Sequence, residues 1–320
     1  MAAHYIRYPL LNCQYSPLQQ EALLHIAGPD SLTFLQGQTT CDNRNLDPDH
    51  ALPGVYCTPQ GRVVCDFLLS QLSEDHYAMR LRRDIRANSG VTFGKYIIFS
   101  KAELDAQRDD WQVLACWGPD AARALHEIFD ALPTARYGAC SGDGFVLVQV
   151  DGAGQQFECY LDSKTSPQRL AQMDEILQLS AESEWQALQI AGGIGRIEAP
   201  TVEEFVPQML NYDLTGHISF TKGCYTGQEV VARLHYRGKS KRRMYLAELP
   251  GAKPAAAGTA LFSTGTEQSV GNVVNSAVSD GQVVGLVVAT ANGVENGLHL
   301  GAKDGPVLSI GELPYLLESD

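Results

Sequence analysis

Ile26-Ala27-Gly28-Pro29-Asp30-Ser31-Leu32-Thr33-Phe34-Leu35 returns, with substitutions, as Cys116-Trp117-Gly118-Pro119-Asp120-Ala121-Ala122-Arg123-Ala124-Leu125. Each copy ends an apolar, strand-like run, residues 23–26 in the first and 113–117 in the second. Each then has Gly-Pro-Asp and an apolar pattern at helical spacing. Proline suits the turn, and the aspartate is expected to accept hydrogen bonds from the first N–H groups of the helix that follows. Two strand–turn–helix units of this kind predict two similar α+β lobes.

Working outward, residues 55–57 and 63–69 flank Pro59-Gln60-Gly61 and read as a hairpin. Residues 77–81 read as a further strand, with a surface helix from Arg82 onward. After the second copy, residues 145–150 and 156–161 form a hairpin pattern about Asp151-Gly152-Ala153-Gly154. Residues 170–179 have helical spacing. A helix through Trp185, Leu188 and Ile190 should stop at Gly192-Gly193. Beyond Arg243 the pattern changes to short β-like runs at 244–249, 259–262, 270–274, 283–289 and 307–310, separated by Gly/Asn/Asp-rich turns. That pattern predicts a small barrel. The expected division is therefore 1–238, two interleaved α+β lobes, and 239–320, a C-terminal β-barrel.

Composition narrows the function classes. At 320 residues the chain exceeds one ordinary core. No apolar run approaches the length of a spanning helix, and Met1-Ala2-Ala3-His4-Tyr5-Ile6-Arg7-Tyr8 lacks a secretory pattern. A cytoplasmic protein without membrane contact is expected. Eight cysteines are scattered with no C-x-x-C pair and no zinc-ligand spacing, so no resident metal is expected. The net charge is −13, yet residues 222–243 hold seven lysines and arginines against the single acid Glu229. An acidic body repels nucleic acid, while Arg233, Arg237, Lys239, Lys241 and Arg242 form a strip able to attract an anion or simply to face solvent.

The densest chemistry lies in Lys222-Gly223-Cys224-Tyr225-Thr226-Gly227-Gln228-Glu229, followed by a helical pattern at 230–234. A thiol just ahead of a helix start meets unpaired N–H groups and the positive end of the dipole, and Lys222 would favour its thiolate further. Cys224 is read as the active thiol, with Lys222 assisting. His217 or His235 would tune it if the fold brings either near. Tyr225, Gln228 and Glu229 serve equally well as ligand contacts or as packing and helix-capping groups.

Residues 205–243, with this octapeptide at their centre, resemble the signature of the YgfZ family, folate-binding proteins related to the glycine-cleavage T-protein, an aminomethyltransferase. Phe34-Leu35-Gln36-Gly37-Gln38, Pro59-Gln60-Gly61-Arg62, residues 185–193 and Leu313-Pro314-Tyr315 extend the resemblance over nearly the whole chain. It implies tetrahydrofolate or a derivative in a central cleft between the lobes and the barrel, with Trp185 against the ligand's rings. Glu158 stands where the T-protein has a pterin-binding glutamate. Asp66 is the second of two adjacent acids in the T-protein; Cys65 replaces the first and Gln189 a folate-anchoring arginine. Both departures count against aminomethyl transfer. The resemblance further implies an accessory factor for iron–sulfur enzyme assembly or repair and, through it, thiolation-type tRNA modification. Its partners would be folate, iron–sulfur enzymes or assembly proteins, and a weak tRNA contact. A tetrahydrofolate-dependent one-carbon transferase and a tRNA-binding module using residues 233–243 stand as alternatives.

Overall fold

The computed structural model describes residues 12–317; residues 1–8, searched above for a targeting signal, lie outside them. Both Gly-Pro-Asp turns join a strand to a helix. Glu21–Ala27 leads into Ser31–Gln38, and Trp111–Trp117 leads into Ala121–Phe129. The aspartate has a different task from the one expected. Neither Asp30 nor Asp120 caps its own helix. Asp30 Oδ2 accepts the N–H of Lys101 at 2.8 Å, and Asp120 Oδ2 accepts the N–H of Asn12 at 2.9 Å. Each turn thus clamps the segment that leads into the neighbouring strand, Glu103–Asp105 or Gln14–Pro17.

The glycine makes that clamp possible. Gly28 sits at φ 125° and Gly118 at φ 129°; a Cβ there would stand 2.3 Å from the Lys101 carbonyl oxygen or 2.4 Å from that of Asn12. Only glycine combines this backbone with so close an approach. Gly118→Ala is expected to cost about 2 kcal/mol, the scale of one strained backbone position, seen as a lower urea midpoint. An unchanged midpoint would mean that the turn is not a clamp.

The two sheets share one topology. The first lobe orders its strands Leu52–Cys57, Val63–Ser73, His76–Arg82, Glu21–Ala27 and Glu103–Asp105. The second orders Ala139–Gly142, Phe145–Gln149, Gln156–Asp162, Trp111–Trp117, Gln14–Pro17 and Gln178–Leu179. Gln14–Pro17, early in the sequence, therefore pairs inside the second lobe, antiparallel to Trp111–Trp117. The lobes are interleaved through that exchange.

Three apolar clusters layer the lobes. Helices Ser31–Gln38 and Arg83–Ile97 cover the outer face of the first sheet over a core containing Phe34, Tyr56 and Phe93. Helices Ala121–Phe129 and Pro167–Ile176 cover the second over Leu125, Phe129 and Met173. The inner faces meet through Leu23, Leu68, Ala115, Val148, Tyr160 and Trp185. The C-terminal sheet runs Leu298–Leu300, Ala260–Ser263, Gly271–Ser279, Gln282–Thr290, Arg242–Leu249, Ser309–Gly311. Its ends meet: Leu300 N–H donates to Pro306 O and Leu308 N–H to Leu298 O, both at 2.9 Å, before the chain continues into Ser309–Gly311. The sheet closes as a small barrel. The architecture is α+β, two similar lobes plus that barrel. Among the described residues no helix is long and apolar enough to cross a membrane.

Candidate functional site

Lobes and barrel converge on a cleft made of two adjoining, narrow cavities of about 30 Å³ each. Gln189, Ile194 and Arg196 line both and form the neck between them. The first cavity takes Asp66, Leu68 and Arg80 from the first sheet, Arg136, Tyr137 and Val150 from the second lobe, and His217. The second takes Trp185 and Gln186 from the helix Glu182–Ala191, together with Glu21, Arg82, Glu198 and the barrel's Asn275. Trp185 is mostly buried and tilts against Trp117 at 5.8 Å, so it is both core anchor and cavity wall. Asn275 sits at a β-bulge, where the strand's register shifts. The bulge lets its amide clamp the neck: Oδ1 accepts Arg196 N–H at 2.6 Å, while Nδ2 donates to Arg196 O at 3.0 Å and Glu198 Oε1 at 2.7 Å.

A buried ionic network underlies the cleft. Arg80 makes a bidentate pair with Glu158, Nε to Oε2 at 2.8 Å and an Nη to Oε1 at 2.7 Å, and Tyr160 Oη donates to Glu158 Oε2 at 2.9 Å. Both oxygens of Glu158 are engaged and it lines neither cavity. Where the resemblance leads one to expect a pterin-binding carboxylate, this structure has Glu158 holding Arg80. Asp66 does line the cleft, but it accepts from Arg196 Nε and, at 2.6 Å, from the Ile197 N–H. Arg196 also donates to both oxygens of Glu21, at 3.2 and 3.0 Å. Burial pushes the Glu21 carboxyl upward; Arg196, Arg80 and Arg82 overcome this and hold it below its ordinary value. Cys65 is fully buried in the first core, where burial pushes its thiol up to about 12. The carboxylates on the cleft wall are thus all paired. Two buried donors are not: Arg82 Nε and Gln186 Nε2 have no partner among the described residues.

The octapeptide lies elsewhere. Lys222 is buried, and its ammonium donates to Gln36 O at 2.8 Å, Thr39 O at 2.5 Å and Cys41 O at 2.7 Å. These carbonyls lie at and beyond the C-terminal end of Ser31–Gln38, where a cation is favoured. All three of its donors are occupied, so Lys222 fastens two chain segments rather than attending Cys224. Burial brings its ammonium down to about 8. The segment is pinned twice more. Thr226 N–H donates to Gly37 O at 3.2 Å. Gly227, at φ 84°, fits so tightly against the Pro59-Gln60-Gly61 turn that a Cβ would stand 2.5 Å from Thr58 O.

The helix Gln228–Tyr236 begins after N-cap Gly227, three residues beyond Cys224. Cys224 instead lines a shallow depression with Leu32, Thr33, Gln36, Gly37, Asn43 and Arg44. It is the exposed cysteine among the described residues, the others being buried or partly so. Tyr225 is buried, Gln228 is partly exposed and Glu229 exposed, and none of the three lines the central cleft. The expected meeting of this motif with the cleft does not occur. Nor does either histidine attend the thiol. His217 is buried at the cleft, hydrogen-bonded to Thr215 at 2.9 Å; burial, with Arg136, Arg196 and Arg80 nearby, brings its imidazole down to about 3. His235 stacks on Phe220.

Comparison with known proteins supplies the lineage. The GCVT N-terminal domain family matches residues 17–142. A tRNA-modifying protein YgfZ from Klebsiella pneumoniae (strain 342) is 33% identical over 304 residues, covering 94% of this chain and 92% of the relative. One from Cronobacter sakazakii is 33% identical over 307 residues, with the same coverage. The chain belongs to the YgfZ family. The structure of glycine cleavage system aminomethyltransferase T from Bartonella henselae superposes with a TM-score of 0.69 at 14% identity, covering 95% of this chain and 86% of that one. It shares the fold.

Within this YgfZ-family chain, the strip is mixed. Arg233, Arg237, Lys239 and Lys241 are exposed and Arg242 is partly exposed. Arg243 is held by Asp213 at 2.7 and 2.9 Å. Sequence reasoning missed Arg80, Arg136, Gln186 and Arg196, which line the cleft. Arg196 had a usable signal, a lone arginine just beyond Gly192-Gly193. Arg80 is another strand residue until Glu158, far along the chain, is set beside it.

Proposed function

We propose that the central cleft holds tetrahydrofolate or a derivative. On this reading the chain is an accessory factor for iron–sulfur enzyme assembly or repair, acting in thiolation-type tRNA modification with Cys224 as its reactive thiol. The observation that carries the folate reading is the match of residues 17–142 to the GCVT N-terminal domain family, with Trp185, Gln186 and Gln189 lining the cavity between lobes and barrel. An elongated ligand with ring carbonyls and a carboxylate tail would meet Gln189 at the neck and Arg136 at the wall of the other cavity. Folate supplies a one-carbon carrier. This chain's residues bind and orient it, and they offer no unengaged carboxylate for proton transfer at a reacting amine, because Glu21, Asp66 and Glu198 are already paired. That favours an accessory role over aminomethyl transfer. The YgfZ relatives' names, tRNA-modifying protein, support the cellular context.

Calorimetric titration with tetrahydrofolate should show saturable binding, weakened about tenfold by Arg136→Ala, the scale of one charge-assisted hydrogen bond. Arg136 is exposed, so the change leaves the core intact. A flat titration of the folded parent would remove folate from the account. Separately, Cys224→Ala should fail to restore tRNA thiolation in a strain lacking the gene; full restoration would exclude the thiol.

A further inference from the structure

The surface that follows Cys224 has a composition the folate cleft does not explain. Helix Gln228–Tyr236 is seated by buried Val231, whose carbonyl accepts Gln208 Nε2 at 2.8 Å. Its outer side carries aromatic rings in a defined stack. Phe220 and His235 lie face to face, centroids 3.6 Å apart at 10°. Tyr236 stands edge-on to both, at 6.3 and 4.7 Å, and is 66% exposed. Arg233, Arg237, Lys241 and Arg242 lie along the same stretch, and none has a carboxylate partner among the described residues. The chain has 37 acids and 24 lysines and arginines. Leaving these cations unpaired in so acidic a protein marks a place kept for an anion from outside.

We propose that this face docks RNA, with an unpaired loop base on the exposed Tyr236 ring and phosphates on Arg233, Arg237 and Lys241. Charge alone would suit any polyanion. The rings favour RNA, because every base offers a π face and stacking is worth about 1–3 kcal/mol per base, while single-stranded loops are where RNA presents unstacked bases. An acidic peptide draws less from an exposed ring than an unstacked base does. Phe220, which completes the stack, belongs to the segment that carries Cys224, so a docked RNA lies on the thiol's own loop-and-helix unit. That RNA should be tRNA rests on the functional reading above; the surface itself does not depend on the cleft.

Fluorescence anisotropy with an unmodified tRNA transcript tests this. Binding should weaken steeply with salt. The variant R233A/R237A/K241A should flatten the log–log slope by about 2, at about 0.7 per phosphate on single strands. Tyr236→Ala should weaken binding about tenfold with its slope unchanged, as lost stacking requires. No binding at low salt would overturn the proposal. So would equal affinity for a perfect RNA duplex with Tyr236→Ala silent, or equal competition by poly-glutamate, which would point to an acidic protein partner. Tetrahydrofolate titration of the same variants keeps the two readings apart, since folate binding should be unaltered in all of them. RNA binding by a protein that does not bind folate would sink the cleft reading and leave this one standing.

Discussion

Replacing Lys222 with methionine is expected to lower the folding free energy by about 3–5 kcal/mol, among the largest single-residue effects in the molecule. Methionine matches the side chain's length and apolar stem but donates nothing. The carbonyls of Gln36, Thr39 and Cys41 would lose their shared ammonium in a place with little water access. An unsatisfied buried acceptor costs about 1–3 kcal/mol, and three share this one donor group. The ammonium's place over the Tyr225 ring, 5.2 Å from its centroid, would also be lost. The urea midpoint should fall, and amide exchange in residues 222–227 should accelerate as the loop comes away from Ser31–Gln38. Cys224→Ser, at an exposed position, should stay within about 0.5 kcal/mol of the parent. A Lys222→Met protein with the parent's midpoint would return Lys222 to the role of an assistant to the thiol.

That contrast shows what the sequence could and could not disclose. The octapeptide is legible as special, because few loops need an ammonium, two glycines and a thiol in one run. Its division of labour is not. Lys222, Thr226 and Gly227 fasten the segment to Ser31–Gln38 and to the Gly61 turn, partners far away in the chain. Only Cys224 is left facing outward. The Gly-Pro-Asp repeat disclosed two lobes for a local reason: turn, helix start and strand end are all adjacent in sequence. The aspartate's true partner, the N–H of Lys101 or Asn12 just ahead of the neighbouring strand, is not adjacent, and the capping expectation failed there. Gln14–Pro17 is four residues with no strong alternation, so its exchange into the second lobe left no local trace. Asp66 and Trp185 were placed at the cleft by pattern and resemblance. Glu158's pairing with Arg80 could not be read, since an acid on a strand looks the same whether it faces a ligand or a buried arginine.

Arg196→Leu is expected to remove about 3–5 kcal/mol at neutral pH, the usual cost of deleting one partner from a buried ion pair. Leucine would leave the Asp66 and Glu21 carboxylates facing each other's neighbourhood without the guanidinium that bridges them. The exposed pair of Lys303 and Glu267 serves as the control, and Lys303→Leu should cost under about 1 kcal/mol. The pH dependence separates a lost charge from a lost shape. In the parent, Glu21 titrates below its ordinary value, so its pairing stabilises the fold above the ordinary carboxylate range and is lost as pH falls through the folded value. In the variant, Arg196's attraction is gone and burial remains, so the folded carboxyl titrates higher than before. The gap between parent and variant should therefore be widest near pH 7.5 and narrow towards about pH 5, as Glu21 takes up its proton. Tetrahydrofolate binding should be lost together with the stability, because Arg196 lines both cavities at the neck. A stability gap that stays constant across this pH range would mean that Arg196 acts through packing, and the ionic framework under the cleft would have to be abandoned.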